Sequence, residues 1–132
     1  MSAVILTTIP IAAEFTANLA QAGGLGTTYT LATVTGTVLI DKISFYVVTA
    51  GATFSAVTFQ TNQTTPFVFL NSLEGAVANI VAQKNLATAW IQNIPVTLKT
   101  GTLIQYTLTG TTGTGSISVI ISYRPIAGGY IA

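Results

Sequence analysis

Three carboxylates, Glu14, Asp41 and Glu74, are the whole acidic inventory of this 132-residue chain, which contains neither histidine nor cysteine. Two carboxyl groups can do general acid–base work on a glycosidic bond when they face each other across the substrate. Here they are far apart in sequence: Glu14 lies in an N-terminal stretch without a clear period, and Asp41 is followed directly by Lys42. The missing histidine removes the usual general base and the commonest zinc ligand, and the missing cysteine removes the thiolate nucleophile and any disulfide. These residue types predict a protein that is not an enzyme and that carries no cofactor and no metal site.

Other patterns with chemical meaning resolve the same way. Gly110-Thr-Thr-Gly-Thr-Gly115 has a spacing reminiscent of a phosphate-binding loop. It lacks the lysine and the strand–loop–helix context that such a loop needs, so it reads as a hairpin turn. Asn62-Gln63-Thr64 matches the N-glycosylation acceptor pattern, which is frequent by chance and is assigned no function. Tyr29, Tyr46, Tyr130 and Trp90 are the aromatics that a sugar-binding sandwich domain would use, yet no cluster of acids accompanies them to hold calcium. The plain reading of Trp90, the single tryptophan, is a core filler.

The charge balance is more telling than any motif. Seven residues are ionised (Glu14, Asp41, Lys42, Glu74, Lys84, Lys99 and Arg124), while half of the chain is hydrophobic and the mean hydropathy is +0.69. Ionisable groups of mixed sign normally hold water on a soluble surface and keep neighbours apart. A chain this poor in them is expected to cover much of its surface with other protein in a permanent assembly. Four scattered basic residues and a net charge of +1 exclude a nucleic-acid partner, because phosphate affinity needs clustered Lys and Arg. A membrane is excluded as well. The greasiest stretches, Val38 to Ala52 and Ile117 to Tyr123, are interrupted by Asp41, Lys42, Ser44, Thr49, Ser118 and Ser122, and an outer-membrane barrel would consume nearly the whole chain. Met1 to Ala13 lacks the positive n-region of a secretory signal, so it is expected to be retained, with synthesis and assembly in a cytoplasm.

The elements that must position these residues are strands. Threonine, valine and isoleucine are abundant, and glycine punctuates the apolar stretches. Ile104, Tyr106 and Leu108 alternate with polar neighbours, as do Ile117, Val119, Ile121 and Tyr123, and the glycines between them predict that the two strands form a hairpin. Val38 to Thr49 reads as a long strand with Ile43, Phe45 and Val47 on one side and Ser44, Tyr46 and Val48 on the other. Thr53 to Thr61 reads as its partner. Tyr29 to Thr35, set off by Gly36, Phe67 to Leu70 and Pro95 to Leu98 complete the set. From Leu73 to Ile91, Leu73, Val77, Ile80, Val81, Lys84 and Thr88 recur at helical spacing. Two strands, Ala78 to Ala82 and Ala87 to Ile91, around a turn at Gln83 to Asn85 fit equally, so at most one short helix is expected. Seven or eight short strands joined by glycine and threonine turns indicate an all-β sandwich or barrel. The expected inward set is Ile43, Phe45, Val47, Phe54, Phe69, Ile104, Tyr106, Leu108, Ile117, Val119 and Ile121.

Val57 to Asn62, Ile94 to Gly110 and Gly115 to Pro125, taken in order, resemble small jelly-roll domains of tailed-bacteriophage virion proteins. Leu98, Gly101, Ile104 and Tyr123 fill the marked positions of that pattern, which covers roughly Val38 to Ile126. The resemblance implies a jelly-roll-like antiparallel β-sandwich. It also implies a virion structural part: a capsid decoration or cement protein, or a tail or fibre module. The partners it implies are further copies of the chain, as a trimer or dimer with the trimer expected, and the major capsid protein or another virion protein. A glycan-binding module and a donor-strand surface filament subunit are the alternatives from other classes.

The chain thus divides into residues 1–28, an arm with the glycine hinge Gly23-Gly24-Leu25-Gly26, and residues 29–132, the sandwich. An apolar arm can add a strand to a neighbour's sheet edge, and Val4, Ile5, Leu6, Ile9 and Ile11 are its candidate anchors. Burying roughly 1,500 Å² of mostly apolar surface at ~25 cal/mol/Å² gives a gross gain in the tens of kcal/mol before entropy is subtracted.

Overall fold

A computed structural model describes residues 9–20, 27–50, 54–72, 75–76, 85–86, 95–110 and 114–132, without the side chains of residues 49–50, 54–55 and 85–86. It is all β. The strands are β1 (Ile11–Asn18), β2 (Thr28–Ala50), β3 (Phe54–Thr61), β4 (Val68–Leu70), β5 (Asn85–Leu86), β6 (Val96–Lys99), β7 (Leu103–Gly110) and β8 (Gly115–Ile131). The pairings follow the path β1-β8-β2-β7-β3-β4, with β5 and β6 also on β2. Every pairing is antiparallel.

The path is continuous because β2 belongs to two sheets. Residues 28–33 of β2 pair with β7, while residues 34–50 pair with β8 on one side and with β6 and β5 on the other. One sheet therefore runs β1, β8, the second part of β2, then β6 and β5; the other runs the first part of β2, β7, β3, β4. The inner faces meet where Phe45 of the first sheet lies 4.8 Å, ring centre to ring centre, from Phe59 of the second. Leaving β5 aside and counting β2 as two segments, the first segment pairs with the eighth, the second with the seventh, the third with the sixth and the fourth with the fifth. The chain is arranged as one long hairpin rolled up on itself.

Period-two alternation builds the core. Val38, Ile40, Ile43, Phe45 and Val47 of β2, Val57 and Phe59 of β3, Ile104, Tyr106 and Leu108 of β7, and Ile117, Val119, Ile121 and Tyr123 of β8 are all buried in one cluster. In β2 the buried positions change from even to odd between Ile40 and Ile43. The β-bulge between Ile40 and Lys42 absorbs Asp41 as an extra residue and keeps both sets on the core face. A second bulge surrounds Gly36, which has φ +71°, opposite a β8 segment in which Ala127 and Gly128 also have positive φ. Gly36 and Gly129 approach so closely that a Cβ built on Gly36 would lie 2.8 Å from the Gly129 Cα, and only glycine fits that crossing.

The expected inward set is buried at each of its described side chains; that of Phe54 lies outside them. Several expectations about connection change. Tyr29–Thr35 and Val38–Thr49 are one strand, because Gly36 forms a bulge instead of a break. The expected hairpin of β7 with β8 is absent among the described pairings: β7 pairs with β2 and β3, and β8 with β1 and β2, so β7 ends at Gly110 in one sheet and β8 starts at Gly115 in the other. Likewise β3 pairs with β7 and β4, not with β2. Residues 1–28, expected as an arm, contain β1, which pairs with β8 in unbroken register from Ile11↔Tyr123 to Asn18↔Ser116 and buries Ala17 and Leu19 completely. Within the ambiguous 73–91 stretch, Ala76 bridges Ala56, and β5 (Asn85–Leu86) starts at the last residue of the turn that the two-strand alternative set at Gln83 to Asn85. The remaining positions of that stretch, including Trp90, lie outside the described residues, and no helix occurs among those described.

Candidate assembly surface

Of the expected anchors, Ile9 and Ile11 are described, and Val4, Ile5 and Leu6 lie outside the described residues. Ile9 is 82% exposed and Ile11 43%, so two branched apolar side chains face water around Pro10 at the start of β1. Alternation along β1 explains the rest. Ile11, Ala13, Phe15 and Ala17 share the core face, but burial deepens only toward the C-terminal end: Ala13 and Phe15 are half-buried and Ala17 is fully buried. Asn18 closes that end. Its N–H donates to the Tyr106 hydroxyl at 3.2 Å, and the N–H of Leu19 donates to the Gly115 carbonyl at 3.0 Å, so the strand is tied to both sheets there.

The outer face of the first sheet carries Ala12, Glu14 and Thr16 of β1, Ser118 and Ile120 of β8, and Lys42, Ser44, Tyr46 and Val48 of β2. Register aligns Tyr46, Ser118 and Thr16 in one row and Ser44, Ile120 and Glu14 in the next. The Ser118 hydroxyl donates to Glu14 Oε2 at 2.6 Å. Tyr46 and Val48 are about half exposed, and Glu14 and Lys42 are the two charged residues among those named on this face. The Ser44, Tyr46 and Val48 side of the alternation is legible in the sequence; what marks it as outer is the greater bulk of Ile43, Phe45 and Val47 opposite.

The aromatics considered as sugar platforms separate. Tyr29 is half-buried with its ring 5.4 Å from that of Tyr106, and its hydroxyl is buried without a hydrogen-bond partner among the described residues. Tyr46 and Tyr130 are exposed. The two described acids are both engaged. Glu14 accepts from Ser118, and Asp41 at its bulge accepts from Arg124 Nε at 2.9 Å. No group of three or more metal-ligating side chains occurs among the described residues, and no helix long and apolar enough to cross a membrane occurs among them. Asn62 of the acceptor pattern is used structurally, its side-chain oxygen accepting from the Leu103 N–H at 2.8 Å while the Asn62 N–H donates to the Leu103 carbonyl at 3.0 Å.

Comparison with protein-family models, with curated proteins and with solved structures finds no match to this chain.

Proposed function

We propose that this chain is a virion structural protein, a capsid decoration protein that binds the outside of a phage head and reinforces contacts between capsid subunits. The observation that carries the reading is the exposed apolar start of β1, Ile9 and Ile11, on a chain with only seven charged residues. Such groups on a surface that little charge protects favour lasting contact with other protein. The strand order supports it too, since pairing first with last, second with seventh, third with sixth and fourth with fifth is the order of a jelly roll, a fold common in viral capsids. Attachment runs through apolar burial at the N-terminal edge, with the major capsid protein as partner and further copies of the chain alongside.

The test is co-sedimentation with phage heads that lack the protein. Saturable binding that survives 1 M salt and falls on Ile9→Asp substitution is expected, because the buried carboxylate would be desolvated without a partner. No binding to heads overturns the reading. Tyr46 favours one second reading, a glycan-binding module, since it offers an exposed ring in register with Ser118, whose hydroxyl is bonded to Glu14. Glycan-array binding abolished by Tyr46→Ala, together with absent head binding, would select it.

A further inference from the structure

A sheet edge presents unpaired backbone N–H and C=O groups, and proteins that stay monomeric blunt their edges with short strands, bulges, proline or lysine. Among the described residues, four edges of this sandwich are blunted in those ways. β4 has three residues and follows Pro66. β5 has two, and β6 has four, begins after Pro95 and ends in exposed Lys99. The 28–33 part of β2 carries a bulge between Thr30 and Ala32. β1 also begins after a proline, Pro10, but it is not short and carries no bulge and no lysine. It is eight residues long, in unbroken register with β8, free of Lys, Arg, Pro and Gly, and no described residue pairs with its other side. Its core-facing Ile11, Ala13 and Phe15 are also incompletely covered, as they would be if one more strand belonged beside them.

We infer that β1 pairs antiparallel with β1 of a second copy, joining the two β1–β8–β2 sheets into one continuous sheet across a two-fold axis. A second copy is the fitting occupant because the strand complements itself. A two-fold axis normal to the sheet keeps core faces on one side, so each residue must meet one of its own parity. The register that sets Glu14 against Glu14 places like charges opposite each other and is disfavoured. The neighbouring register sets Phe15 against Phe15, Ala13 against Ala17, Glu14 against Thr16 and Ala12 against Asn18. It overlaps seven residues of each strand, buries an aromatic pair and gives the Glu14 carboxylate a hydroxyl donor. The pairing is isologous and closed, so it stops at two copies, in place of the trimer expected from the sequence. It holds whether or not the protein belongs to a virion.

Light scattering of the full chain is expected to give twice the 13.6 kDa of one copy. The cysteine-free sequence makes a cross-link decisive. In the double variant Glu14→Cys, Thr16→Cys, each thiol faces its counterpart on the other copy at a Cα separation of about 4.5–5.5 Å, within disulfide range. Two positions along one strand lie about 6.6 Å apart with parallel side chains, which leaves their Cβ atoms well beyond the roughly 3.5–4.5 Å that a disulfide needs. Oxidation is expected to give a covalent dimer on a non-reducing gel, while Thr65→Cys in the exposed β3–β4 bend does not. Ala12→Pro and Ala13→Pro supply the converse, since adjacent residues aim their N–H groups alternately at β8 and away from it. The variant that keeps its β circular dichroism is expected to be monomeric. A monomer or trimer by scattering, cross-linking no greater than that of the Thr65 control, or a folded proline variant that stays dimeric would each overturn the pairing.

Discussion

Gly129 and Gly128 are neighbours with different tasks. A Cβ on Gly129 would lie 2.0 Å from the Thr37 carbonyl oxygen, a backbone atom that cannot step aside, whereas a Cβ on Gly128 meets nothing within 4 Å and suffers only from the residue's φ of +82°. Gly129→Ala is expected to cost about 3 kcal/mol from overpacking against backbone, and Gly128→Ala about 1–2 kcal/mol from the left-handed conformation alone. Urea melts of the two variants check the ranking, and equal losses would contradict the close crossing of β2 and β8. The Asp41–Arg124 pair is partly exposed, 26% and 38% at its side chains, so water screens it. Asp41→Ala is expected to cost at most about 1 kcal/mol, against about 3–5 kcal/mol for Phe59→Ala in the core.

At the scale of elements, β1 decides what the N-terminal stretch is. If it were an arm throughout, removing residues 1–22 would leave the sandwich intact. Because Ile11–Asn18 forms a complete ladder with β8, and Ala17 and Leu19 are fully buried, two truncations should differ. Removal of residues 1–8 is expected to leave a cooperative thermal transition near that of the full chain. Removal of residues 1–19 exposes the edge of β8 and opens the core, and is expected to abolish that transition. Circular dichroism melts distinguish the outcomes, and a stable protein after the longer truncation would show that β1 is dispensable.

For the whole molecule, rolling a long hairpin makes nearly every strand wait for a distant partner. β1 must find β8, and the first part of β2 must find β7, before either is secured. Non-local pairing of this kind slows folding, because loop closure is unfavourable until the contacts form. Stopped-flow refolding is expected on the millisecond-to-second scale or slower, and microsecond folding would be incompatible with this topology. With seven ionised residues the assembled state is also expected to hold its mass between low and 1 M salt, since there is little charge to screen.

The sequence by itself determined the class of the fold and most of its core. Alternation through Ile43, Phe45 and Val47, through Ile104, Tyr106 and Leu108, and through Ile117, Val119 and Ile121 needs only the two-residue period of a strand, and all nine are buried. It also placed the chain reversals, with Gly110, Gly115 and Gly101 all at positive φ. What it left open is pairing. A glycine turn between two alternating stretches looks the same whether the chain folds back within one sheet or crosses to the other, and that choice is made by what each strand's two edges can reach. The tertiary structure therefore decided that β7 and β8 part company, that Gly36 bends one strand between two sheets, and that Ile11–Asn18 is an edge strand. Apolar residues such as Ile11 and Phe15 carry no local mark of whether the strand beside them belongs to the same copy or to another.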